Sequence, residues 1–193
     1  LKVICMNRPR AAGFCYDDVE IETMFKDAEI LLENGADGIS FGFLNPDVTI
    51  NTTHTKKMVE LIHRYRKEAV FHRAFDCVSD PYVAIQQLID CGVDRILTSG
   101  LQPTALQGCE LLKKLQSEFG ERVEILTGSG INVDNIEALR ERTGIHQFHG
   151  SCKTWEKDPT TTVGNISYAY HEKDDYDCVS IEIVRQIVQL LKR

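Results

Sequence analysis

Cys91-Gly92-Val93-Asp94-Arg95-Ile96-Leu97-Thr98-Ser99-Gly100 carries the chain from one structural element into the next. Gly92 stands just past a stretch of apolar periodicity, where glycine takes the left-handed cap that ends a helix. Residues 93–98 follow at once as a short apolar run of strand type. Upstream, residues 81–91 have helical spacing and open on Pro81, a residue suited to the first helical turn. Downstream, residues 104–119 are helical again and residues 123–126 read as the next strand. The same joint recurs at Asn34-Gly35-Ala36-Asp37 and at Thr143-Gly144-Ile145.

Working outward, the alternation continues in both directions. Residues 1–7 form a short apolar run broken by Arg8-Pro9-Arg10. Residues 20–34 place Ile21, Met24, Phe25, Ala28, Leu31 and Leu32 at helical spacing, and residues 37–44 read as a strand. Residues 51–66 are a helix with Met58, Leu61 and Ile62 on one face, and residues 69–71 a strand. Residues 132–142 are a helix and 145–148 the last strand, while 151–177 read as polar and irregular. Residues 178–191 close the chain as an amphipathic helix. Strands joined by single helices and short loops imply right-handed crossovers and a parallel sheet.

Six strands are countable, whereas a closed barrel of this kind has eight. The expected fold is therefore α/β, a (β/α)8 TIM-type barrel seen from about its third strand onward, with the first two β/α units missing. On this reading residues 1–193 are a single barrel domain, incomplete at the amino end. The competing open, doubly wound sheet would carry a G-x-G-x-x-G turn after its first strand, and none is present.

Composition narrows the function classes. The formal net charge of −7 disfavours nucleic acid and anionic membrane surfaces as partners. No apolar run approaches the roughly 20 residues that a bilayer span needs. Seven cysteines, Cys5, Cys15, Cys77, Cys91, Cys109, Cys152 and Cys178, are scattered with no Cys-x-x-Cys pair. That spacing suits reduced thiols in a cytoplasmic protein better than a disulfide framework or a zinc site.

In a β/α barrel the loops after the strands build the functional site, and the chemistry-bearing residues fall there. Arg8 and Arg10 follow the first strand and His72, Arg73 and Asp76 the third. Ser99 follows the fourth, Gly128 and Gly130 the fifth, and His149 and Ser151 the sixth. The arginines could clamp an anion or be solvated loop residues. His72 could be an acid–base group or a satisfied core histidine, and Asp76 its orienting carboxylate or an ion-pair partner for Arg73. Ser99 could be a turn residue. Gly128 and Gly130 could let backbone N–H groups approach a phosphate or simply turn strand into helix. His149 could be a ligand or acid–base group, since imidazole titrates near neutrality. His54, His63 and His146 read as surface or structural. Trp155 could cover the barrel mouth or pack on its rim.

These motifs resemble the CutC family, whose members are associated with copper handling. Arg8-Pro9-Arg10 followed by Gly13-Phe14-Cys15-Tyr16 is similar to that family's R-P-R-G-G-x-F-x-Y stretch. Phe71-His72-Arg73-Ala74-Phe75-Asp76 matches its most distinctive segment. Residues 93–100 and Phe148-His149-Gly150-Ser151 resemble its later strands. Ala11-Ala12 stand where the family has Gly-Gly, and Thr127-Gly128-Ser129-Gly130 where it has a Pro and three glycines. The resemblance implies a β/α barrel, copper as bound ion and cofactor, a cytoplasmic setting and a homo-oligomer. It also implies that the family's copper-linked cysteines belong to the missing front units, which leaves the metal ligands unknown. Two functions follow as expectations: a Cu(I)-binding homeostasis protein, or an enzyme acting on a small anionic or phosphorylated molecule at the rim.

Overall fold

The computed structural model describes residues 1–169, 171–172 and 174–192. Strands β1 (Ile4–Met6), β2 (Gly38–Phe41), β3 (Glu68–Phe71), β4 (Arg95–Thr98), β5 (Glu124–Gly128) and β6 (Gln147–His149) form one sheet. They lie in chain order and every neighbouring pair is parallel. The connections are α1 (Asp18–Glu33), α2 (Thr52–Arg64), α3 (Pro81–Asp90), α4 (Cys109–Phe119) and α5 (Ile136–Thr143). The sheet is a half-barrel: β1 and β6 are its two ends, not paired to each other.

Local chemistry accounts for the boundaries. Asp17 and Glu20 form a reciprocal capping box that starts α1. Asp80 caps α3 and Pro81 opens it. Gly144 ends α5 in the left-handed conformation, at φ 72°. Helix α4 begins at Cys109, five residues later than the periodicity suggests, because residue 104 starts a turn. There Thr104 and Gln107 bond to one another, and Gly108 packs its Cα face on the Ser99 carbonyl. Helix α5 begins at Ile136 rather than 132 because Asn132 and Asn135 bond to each other and to the Gly130 carbonyl.

The main core fills the space between the sheet and the helices. Met24 and Ala28 of α1, Met58 and Ile62 of α2, Ile85 and Leu88 of α3 and Leu112 and Leu115 of α4 are fully or almost fully buried there. They meet Ile39, Phe41, Phe71 and Ile96 from the sheet. At the amino ends of the strands, Arg95 pairs with Glu68 at 2.8 Å and Glu124 at 2.5 Å, tying β3, β4 and β5 together.

The stretch expected to be irregular is not. Residues β7 (Lys153–Lys157) and β10 (Asp175–Val179) form an antiparallel ribbon, and β8 (Thr162–Val163) pairs with β9 (Ile166–Ser167) between them. The closing helix α6 (Ile181–Leu191) starts three residues later than expected, capped by the Ser180 hydroxyl.

Candidate functional site

The carboxyl ends of β1, β3, β4 and β6 enclose a cavity of about 520 Å³. Met6, Arg8, Phe14, His72, Arg73, Asp76, Cys77, Leu97, Gln102 and His149 contribute to its wall. The volume lies within the range of small-molecule sites. Thus Arg8, His72, Arg73, Asp76 and His149, which come from loops far apart in the sequence, meet at one rim.

Each is held differently. Arg8 leaves β1, donates from Nη2 to the Ala12 carbonyl, and lies 4.7 Å from the centre of the Phe14 ring. His72 ends β3 and starts the short 3-10 turn Arg73–Cys77. Its Nδ1 accepts from the Ala74 N–H at 3.1 Å, so the ring proton of the neutral form lies on Nε2. That Nε2 is buried and has no hydrogen-bond partner. Burial above all, with the Arg8 charge adding to it, holds the His72 pKa down at about 4. His72 is therefore held as a neutral imidazole whose Nε2–H is buried in the wall, within reach of the Arg8 charge.

Asp76 is the most heavily engaged group. Its carboxylate accepts from Arg73 Nε at 2.7 Å, Thr98 Oγ1 at 2.6 Å, Ser99 N at 2.9 Å, Ser99 Oγ at 3.0 Å and Leu101 N at 3.2 Å. Arg73 also donates from Nη2 to Ser99 Oγ at 2.9 Å. A carboxylate saturated in this way acts as a keystone for the β3 and β4 loops, and it fixes Arg73 at the wall.

The remaining expected residues lie off the cavity wall. Arg10 pairs with Glu20 and stacks 5.2 Å from the Tyr16 ring centre. Ser99 is fully buried behind the wall, bonded to Asp76 and to the Gln102 carbonyl. A Cβ on Gly128 would lie 2.6 Å from Leu97 Cδ1, so its bareness makes room for that side chain. Gly130 turns at φ 73° beside Ser129, whose hydroxyl bonds Pro103. Ser151 is exposed. His63 bonds Asp94 at 2.8 Å, and His54 packs against Phe43. Trp155 lies in β7, stacked on His171 at 4.5 Å.

Sequence reasoning missed Met6, Phe14, Cys77 and Gln102 as wall residues. For Met6 the signal was strand alternation, which sends it to the same side as the following site residues. For Cys77 it was the position directly after the Phe71–Asp76 segment.

A parallel β/α half-barrel with its polar groups gathered at the carboxyl rim places the chain in the class of TIM-barrel-like proteins. Within that class the chain belongs to the CutC family, whose model matches residues 1–154. A CutC family protein of Treponema denticola is 36% identical over an alignment 195 positions long, which covers 99% of this chain and 78% of that protein. One from Bacteroides fragilis is 42% identical over 146 residues, covering 76% of this chain and only 57% of the relative. Among solved structures, a Streptococcus agalactiae CutC described as a copper homeostasis protein superposes with a TM-score of 0.74 at 30% identity. That match covers 78% of this chain and 73% of the other.

Proposed function

We propose that this chain is a copper homeostasis protein that takes Cu(I) as cargo at the rim cavity, in a reducing cytoplasmic compartment and as a homo-oligomer. The observation that carries the reading is the presence of two sulfur-bearing residues in the wall: Met6 and Cys77 line the same cavity as His149. Thioether and thiolate are soft donors and select Cu(I) over harder cations. All seven cysteines are free, which fits a reducing compartment. His72 supports a supporting role rather than a ligand role, because its Nδ1 already accepts from Ala74 and its Nε2 carries the proton.

The test is anaerobic Cu(I) titration against a competing chromogenic chelator. One Cu(I) per chain is expected, with affinity lowered at least about tenfold, or 1.4 kcal/mol, in Cys77→Ser and in Met6→Leu. Unchanged binding in the double variant would remove the cavity as the copper site.

A second reading rests on a separate observation. The orphaned Nε2–H of His72, with Arg8 and Arg73 in the same wall, is a donor set for a small anion. In an enzyme acting on a small anionic or phosphorylated substrate, Arg8 and Arg73 would bind charge and His72 would donate without ionising. His149 would then move the proton, and Asp76 would orient Arg73. Ser99, Gly128, Gly130 and Ser151 would shape the loops, and Arg10 would brace the first of them through Glu20. Phosphate binding lost in Arg8→Ala while Cu(I) binding persists would favour this reading.

A further inference from the structure

We propose that His171, Glu172 and Asp175 form a binding site for a divalent transition-metal cation of the zinc class, separate from the rim cavity. One donor atom from each residue lies within 4.8 Å of the others, and this is the one such grouping among the described residues. Tetrahedral zinc–ligand bonds of about 2.0–2.2 Å set donors about 3.3–3.6 Å apart. Closing the cluster around an ion therefore draws its widest donor pair together by about an ångström, a rotamer adjustment for the two exposed side chains. One imidazole nitrogen and two carboxylate oxygens form a donor set for Zn²⁺ or Co²⁺, harder than the sulfur-bearing wall of the rim cavity.

A second observation points to a ligand. Asp175 is only 2% exposed, at the start of β10. Its Oδ2 is engaged twice, by His171 Nδ1 at 3.0 Å and by the Glu172 N–H at 2.9 Å. Its Oδ1 is buried with no partner. A carboxylate oxygen removed from water and left unbonded is costly, and a cation held by both oxygens of Asp175 would satisfy it. Lys157 Nζ stands 3.9 Å from Glu172 Oε2, and both side chains are exposed, so water screens this ion pair. The cluster lies beyond residue 154, where the family match ends, and does not depend on the copper reading.

The chain carries its own reporter. Trp155 is its single tryptophan, and its ring stacks on His171 at 4.5 Å with an interplanar angle of 18°. Co²⁺, standing in for Zn²⁺, is titrated into the protein while Trp155 emission and ligand-field absorption are recorded. Saturable quenching at one Co²⁺ per chain, reversed by Zn²⁺, is expected. Glu172→Gln keeps the backbone donor to Asp175 and removes an exposed carboxylate, so folding is preserved. It should weaken Co²⁺ at least about tenfold, the scale on which even supporting residues of metal sites act. His171→Ala, with its fold checked by circular dichroism, should abolish saturation. Unchanged Co²⁺ affinity in Glu172→Gln, or a sulfur-to-cobalt charge-transfer band showing thiolate ligation, would overturn the proposal.

Discussion

Ala12 sits at φ 71°, a left-handed conformation that an L-residue with a Cβ adopts at a cost of about 1–2 kcal/mol. It is also one of the two alanines at the positions where the family stretch that residues 8–16 resemble has Gly-Gly. Ala12→Gly should therefore raise stability by about 1 kcal/mol, read as a higher urea midpoint at unchanged slope. His72 gives a pH prediction. Unfolded, it takes a proton near 6.5; folded, burial holds it off until about 4. Between those values the unfolded state binds more protons, so stability falls as pH drops from 6.5 to 4 and no further on its account. The full effect is about 3 kcal/mol. His72→Asn keeps an acceptor for the Ala74 N–H and cannot titrate, so its stability should be flatter over this window. An unchanged slope would show that other groups dominate the acid response. Asp76→Asn, which turns an amide toward several N–H and O–H donors, should cost about 3 kcal/mol in the same assay.

At the scale of elements, most of the parallel sheet was legible because β2, β4 and β6 each follow a glycine stop and the connecting helices carry apolar residues at helical spacing. The joints at Gly92 and Gly144 are as expected, at φ 84° and 72°. What failed was local polar chemistry. The starts of α4 and α5 were set by Thr104–Gln107 and Asn132–Asn135 bonds that no periodicity reveals. The β7–β10 ribbon was hidden because Lys153-Thr154-Trp155-Glu156-Lys157 has no apolar face to alternate. The site was legible to the extent that residues lie at strand ends. Arg8, His72, Arg73, Asp76 and His149 share the cavity, whereas Ser99, Gly128 and Gly130 occupy strand ends yet face packing neighbours. Gly42 shows the same distinction. A Cβ there would lie 2.6 Å from His72 Cε1 and 2.8 Å from Ala74 Cβ. Gly42→Ala should cost about 1–3 kcal/mol by overpacking and should perturb the His72 ring, visible as a shifted imidazole resonance. A silent resonance would separate β2 from control of the site.

Among the described residues the half-barrel ends in β1 and β6, with no strand paired beyond either, and no residue of α6 is buried. Unpaired strand edges template association. Ile181 and Val188 of α6 are 55% and 42% exposed, and Val3 beside β1 is 49% exposed. Against this stands the net charge of −7, which opposes self-contact most at low salt. The two effects have opposite salt dependence, which makes them separable. The 193-residue chain should sediment as a reversible oligomer whose weight-average mass rises with protein concentration and with added salt. Val188→Lys together with Val3→Lys should shift it toward the monomer at every salt concentration, since each places charge on an apolar contact. Association that weakens with salt would mean that ion pairs, not edges and apolar faces, hold the copies together. A monomer at all concentrations would mean that the exposed strands are already blunted within one chain.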